Sequence, residues 1–72
     1  MKKASEYRAH AGECRRLATR MKDDSQRDYL LQMAEDWEEM ARYRVGLISL
    51  HPELAKQGET EEEGLPPPIE GE

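Results

Sequence analysis

Apolar side chains recur along the first fifty residues with the period of a helix. Tyr7, Ala11, Cys14, Leu17, Ala18 and Met21 lie three or four positions apart apart from one adjacent pair. That spacing marks one face of a helix and rules out a strand face. Leu30, Met33, Ala34, Trp37, Met40, Ala41, Leu47 and Ile48 repeat the pattern further on. No proline precedes Pro52, and Ala, Leu, Met, Arg and Glu dominate both stretches, all good helix formers. Two helices are therefore predicted, over about residues 5–22 and 25–50. Ser5 is the expected cap of the first. Ser25, with Asp28 three residues later, reads as a capping box for the second, with Asp24 as the competing cap. The second helix is expected to end between Gly46 and His51, with Leu47 and Ile48 favouring the later stop.

The linker between the two is short, so the helices should pack as an antiparallel hairpin. Each carries alanines seven residues apart, Ala11 with Ala18 and Ala34 with Ala41. Small residues in that register allow close approach of two helix axes. Shifting the sequence by 23 residues superposes Glu13-Cys14-Arg15-Arg16-Leu17-Ala18 on Asp36-Trp37-Glu38-Glu39-Met40-Ala41. The shared order is acid, core residue, charged pair, core residue, alanine, with the charged pair reversed in sign. Trp37 is expected near Ala11, and Cys14 near Met33 and Ala34. The expected core is Tyr7, Ala11, Cys14, Leu17, Ala18 and Met21 against Leu30, Met33, Ala34, Trp37, Met40 and Ala41.

Charge divides the chain differently. Seven basic and two acidic side chains fall in residues 1–22, and three basic and seven acidic in residues 23–50. Lys56 faces seven glutamates in residues 51–72. A basic helix should thus lie against an acidic one, which disfavours mispairing. From Gly58 onward Glu, Gly and Pro prevail, so residues 58–72 are expected to be a disordered acidic tail that adds nothing to a hairpin domain of residues 1–57. Leu65-Pro66-Pro67-Pro68-Ile69 is expected to be a polyproline II spacer within it.

Little in the chain suggests chemistry. No long uninterrupted apolar run predicts a membrane span or a signal-peptide core. The single cysteine excludes an internal disulfide and suits a reducing compartment. Cys14 is expected in the core rather than as a nucleophile. His10 and Cys14, four residues apart, offer two metal ligands where a closed zinc site wants four. Glu35, Asp36, Glu38 and Glu39 form a solvated face, with Glu38 and Arg42 spaced as an ordinary helical pair. Arg8, Arg15 and Lys22 recur every seven residues, with Arg16 and Arg20 beside them, as a phosphate-tracking stripe would. The acidic partner helix, the net charge of −5 and the lack of interleaved aromatics argue against nucleic acid. Gly12, on the outer side of helix one, has no account from the pattern.

Ser5-Glu6-Tyr7-Arg8, Ala11, Glu13-Cys14-Arg15-Arg16-Leu17-Ala18, Leu30-Leu31-Gln32-Met33-Ala34 and Trp37-Glu38-Glu39-Met40-Ala41 resemble a family of very short, uncharacterised bacterial proteins. That family shows a Tyr-Arg start, a Glu-Cys pair before Leu-Ala, and a Met-Ala-x-x-Trp helix. The resemblance spans about residues 4–43. It implies a helical hairpin in the bacterial cytoplasm and brings no catalytic or binding residues with it.

The expectation from sequence is an all-α hairpin without enzymatic activity, cofactor or metal. Tyr29, Leu31 and Tyr43, with Leu47 and Ile48, widen the apolar arc of helix two beyond what one partner helix covers. A homodimer forming a four-helix bundle is the expected answer, with a helical protein partner as a further possibility. The leading function is a self-associating interaction module. The alternative is a small nucleic-acid-binding regulator using Arg8, Arg15, Arg16, Arg20 and Lys22.

Overall fold

The computed structural model describes residues 1–66, all helix, turn or irregular chain. Helix α1 spans Ala4–Ala18 and helix α2 spans Asp24–Leu50. A 3-10 turn at Pro52–Leu54 and a single turn of helix, α3, at Glu59–Glu62 follow. The two long helices pack side by side along their alanine seams. No described helix is long and apolar enough to cross a membrane.

The seam is built from small side chains. Ala4, Ala11, Ala18, Ala34 and Ala41 are all buried, together with Tyr7 and Cys14. Ala11, Cys14 and Ala34 form one cluster, with Met33 and Trp37 packed against it. Ala4, Tyr7 and Ala41 form a second, flanked by Trp37 and Val45. Trp37 bridges both, near Ala11 and Cys14 as the heptad register requires. Its ring does more than face alanines: it stacks on Tyr7 at 5.8 Å and on His10 at 4.6 Å between centroids. The exposed His10 is thereby a lid on the indole.

Several boundaries differ from those expected. Helix α1 stops at Ala18, four residues early, where Thr19 turns its hydroxyl back onto the Arg16 carbonyl at 2.7 Å. Lys3, not Ser5, occupies the N-cap of α1, and the Glu6 carboxylate accepts the Lys3 amide. Asp23, ahead of both Asp24 and Ser25, caps α2 by accepting the Gln26 amide at 3.0 Å. Its extended backbone leaves room for this, and the first turn then begins one residue sooner. Leu17 and Met40, expected in the core, are 37% and 41% exposed. The alanine seam is narrow enough that residues at its margin stay at the surface. Met21, Leu30, Met33 and Trp37 are half-buried.

The close alanine contact yields the first prediction. Ala34→Leu should overpack the crossing and cost about 1–3 kcal/mol in urea melts. Leu31→Ala, at a side chain that is 40% exposed on the outer flank of α2, should cost less than that.

Candidate interaction surfaces

The position three residues beyond Ala41 and four before Ile48 lies on the buried face of α2, and it holds Arg44. The residue is 4% exposed. A charge so placed must find a partner or be left unsolvated. The partner is Glu59, which is completely buried. Arg44 Nη2 donates to Glu59 Oε1 at 2.8 Å, and Nε to Oε2 at 2.9 Å. The Lys56 amide donates to Oε1 at 2.9 Å and the Ala4 amide to Oε2 at 3.3 Å. Each carboxylate oxygen thus takes one guanidinium and one backbone N–H. Arg44 spends a further hydrogen on the Leu54 carbonyl at 3.0 Å. Among the described residues no buried side-chain polar atom lacks a partner.

This pair overturns the expectation for residues 58–66. They are folded onto the hairpin, and only residues 67–72, with most of the polyproline stretch, lie outside the described residues. The glycines that suggested disorder are the turns that permit docking. Gly58 has φ of 78° and Gly64 φ of 68°. At Gly64 the Leu65 amide reaches the Thr60 carbonyl and the Gly64 amide that of Glu61, a Schellman closure of α3. Glu59 also supplies what α1 lacks. The N-cap Lys3 offers no acceptor side chain, and the carboxylate of Glu59 instead satisfies the free amide of Ala4 at the positive end of the helix.

Around this buried pair the tail makes exposed contacts. Glu63 meets Arg8 in a two-bonded fork at 2.6 and 2.9 Å. Glu62 accepts from the Ser5 hydroxyl at 3.0 Å and from Lys3 Nζ at 3.4 Å. Ser5, expected as a cap, therefore serves the tail. Leu65 and Thr60 close a cleft of about 110 Å³ over Ile48, Ser49 and Pro52. The rest of the basic stripe is also engaged. Arg15 forks onto Glu38 across the seam at 2.7 and 2.9 Å, so Glu38 does not make the expected pair with Arg42. Arg16 binds Glu13 on its own helix at 2.6 Å. Arg20 and Lys22 make no ion pair among the described residues.

These contacts move protonation equilibria. The Arg44 fork, and then the Lys56 and Ala4 amides, hold the Glu59 carboxyl down at about 2, against the cost of burial. Arg16 lowers Glu13, and Arg15 lowers Glu38. Arg8, Arg15 and Arg44 are raised by their carboxylate partners Glu63, Glu38 and Glu59.

The second surface is apolar and lies on α2, away from the tail. Tyr29, Met33, Asp36, Met40, Tyr43, Leu47 and Leu50 follow one another at alternating spacings of four and three. That is a second heptad seam beside the one facing α1. Tyr29, Met40, Tyr43 and Leu50 are exposed, and Met33 and Leu47 half-buried. Open grooves run along it, one lined by Met1, Asp36, Met40 and Tyr43 and the next by Tyr43, Leu47 and Leu50. Ile48, expected to belong to this surplus arc, is buried within the chain, and Leu31 falls on the other flank of the helix.

Among the described residues no three His, Cys, Asp or Glu side chains gather as metal ligands. Cys14 is buried in the seam. Comparison with protein-family models, with curated proteins and with solved structures gives no match.

Arg44 could have been found from sequence. The buried register of α2 runs 30, 34, 37, 41, 44, 48, and an arginine in it calls for a buried carboxylate. Which glutamate answers it is not encoded in any local pattern.

Two outcomes follow for the tail. Because Glu59 titrates lower when folded than the ordinary ~4.3, its contribution is complete above about pH 4.5 and is lost as pH falls towards about 2. The urea-melt stability of the wild type should therefore fall more steeply over that range than that of Glu59→Gln. Arg44→Gln should release the tail. Breaking a buried pair costs about 3–5 kcal/mol when the remaining charge stays buried. Here undocking lets water reach Glu59, so the loss is capped by the tail's docking energy. Cleavage after Glu61–Glu63 by a glutamate-specific protease should accelerate while most of the helical circular dichroism persists.

Proposed function

We propose that this protein is a small non-enzymatic interaction module that self-associates through the outer seam of α2. The observation that carries this reading is the heptad from Tyr29 to Leu50, with apolar residues at six of its seven positions and, among the described residues, no element packed over its exposed members. A second copy is the occupant that fits. Paired antiparallel about Met40, the seam is self-complementary: Tyr29 meets Leu50, Met33 meets Leu47, and Asp36 meets the Tyr43 hydroxyl. The one polar position thus receives a hydrogen-bond donor in that register and in few others, the role of a buried polar residue in coiled coils. Two-fold pairing of identical surfaces closes the assembly as a four-helix bundle. It also supplies apolar burial that a chain of this size lacks.

The alternative, a nucleic-acid-binding regulator, finds less support. Arg8, Arg15 and Arg16 are each committed to a glutamate, which leaves Arg20 and Lys22 at the turn of the hairpin. A metal or thiol sensor would need Cys14 reachable and His10 beside it, whereas His10 stacks on Trp37. The resemblance to short bacterial hairpin proteins, with its cytoplasmic setting, accords with an adaptor and names no partner.

Sedimentation at micromolar concentration should give twice the chain mass, with a melting temperature that rises on concentration. Met40→Glu places two carboxylates at the two-fold axis and should yield a helical monomer. Retention of the doubled mass by Met40→Glu would exclude this seam.

A further inference from the structure

We infer that the surface beneath residues 59–65 is a receptor for acidic polypeptide segments, masked by the chain's own tail as resident ligand. The site is built rather than incidental. Its floor is the guanidinium of Arg44, a residue 4% exposed, with the Ala4 amide beside it. Its rim is Lys3, the Ser5 hydroxyl and Arg8. The ligand presents glutamates at 59, 62 and 63, the i, i+3, i+4 positions that share one side of a helical turn. Each glutamate is read by separate donors.

The chemistry of the floor favours a carboxylate over other anions. Both oxygens of Glu59 are held side-on by the guanidinium, and each is closed by one further backbone N–H. That set completes a planar two-oxygen group. A tetrahedral phosphate would bring additional charged oxygen into a position where Glu59 has no exposure at all.

The tail is also a replaceable occupant. Apart from Leu65 its described residues beyond Gly58 contribute charge and backbone but little apolar surface. Its advantage is tethering, which gives an effective concentration on the order of millimolar for a short linker. A partner carrying glutamates in the same i, i+3, i+4 pattern would meet Arg44, the Ala4 amide, Lys3, Ser5 and Arg8 once the tail is displaced, and would supply from its own backbone the amide that Lys56 gives Glu59. This site is separate from the outer seam of α2, so it can stand or fall independently of self-association.

The test uses the full chain carrying Glu59→Gln, Glu62→Gln and Glu63→Gln, which removes the resident carboxylates. The probe is a fluorescent peptide copy of residues 56–66, followed by anisotropy, with a copy bearing three glutamines as control. The released variant should bind the acidic peptide at least about tenfold more tightly than the wild type, whose tail competes. Adding Arg8→Glu should weaken that binding about tenfold, and the glutamine peptide should not bind. If the released variant loses its helical signal, Glu62→Gln with Glu63→Gln alone is titrated in the same way. That variant keeps the buried pair and frees only Lys3, Ser5 and Arg8, so its gain is read at the rim, as tighter binding of the acidic peptide that Arg8→Glu abolishes. A folded variant that gains no affinity for the acidic peptide overturns the proposal. So does one that binds a single-stranded oligonucleotide as tightly as the peptide, which would make this a phosphate site.

Discussion

An arginine in the buried register of a long helix obliges the chain to bring a carboxylate to it. Arg44 cannot be left uncompensated in that buried register; Glu59 meets it with two hydrogen bonds, and the Ala4 and Lys56 amides satisfy the rest of the carboxylate. Everything about the C-terminal segment follows from that need. The chain must leave α2, turn back through Pro52–Leu54, reverse again at the left-handed Gly58 and lower Glu59 onto the start of α1. The same carboxylate caps α1, so one side chain joins the two ends of the sequence and both helices.

This arrangement differs in kind from the alanine seam. The seam is apolar and local in register. The tail contact is ionic, depends on a carboxyl held at about 2, and contributes little apolar burial. The hairpin and the tail are thus expected to open separately, with the tail at the low-stability end. A surface covered by such an element is accessible to a competitor in a way that the seam is not. The outer face of α2 is apolar again, and its companion would be a second copy. One short chain therefore presents a committed core, an exposed apolar face proposed for self-association and a buried ion pair beneath its own tail.

Charge segregation underlies the tail contact and the edge of the helix pair. The basic helix is neutralised from two sides, by Glu38 through Arg15 and by Glu62 and Glu63 through Lys3 and Arg8. That leaves few free cations for a nucleic-acid backbone. The reversal of Arg15-Arg16 into Glu38-Glu39 across the repeat has one direct structural counterpart, the Arg15–Glu38 fork.

The helices, their antiparallel packing and the alanine contacts were legible in the sequence because they depend on spacing alone. A seven-residue alanine period and a short linker leave one sensible arrangement, and they put Trp37 over Ala11 and Cys14. The ends of α1 were less legible, since a threonine hydroxyl can turn back onto the preceding turn without ending a helix, and Lys3 caps through its backbone alone. Leu17 and Met40 fit the helical period as well as their buried neighbours, and only the narrowness of the seam excludes them. The tail was misread for a clear reason. Glu-, Gly- and Pro-rich composition signals a chain that cannot bury apolar area, and that inference holds only where apolar area is the sole source of order. Here order comes from one buried ion pair between positions fifteen residues apart. Local sequence determines that Arg44 needs a carboxylate. Tertiary structure alone decides that it is Glu59, because the choice depends on where the returning chain places each glutamate relative to the end of α1.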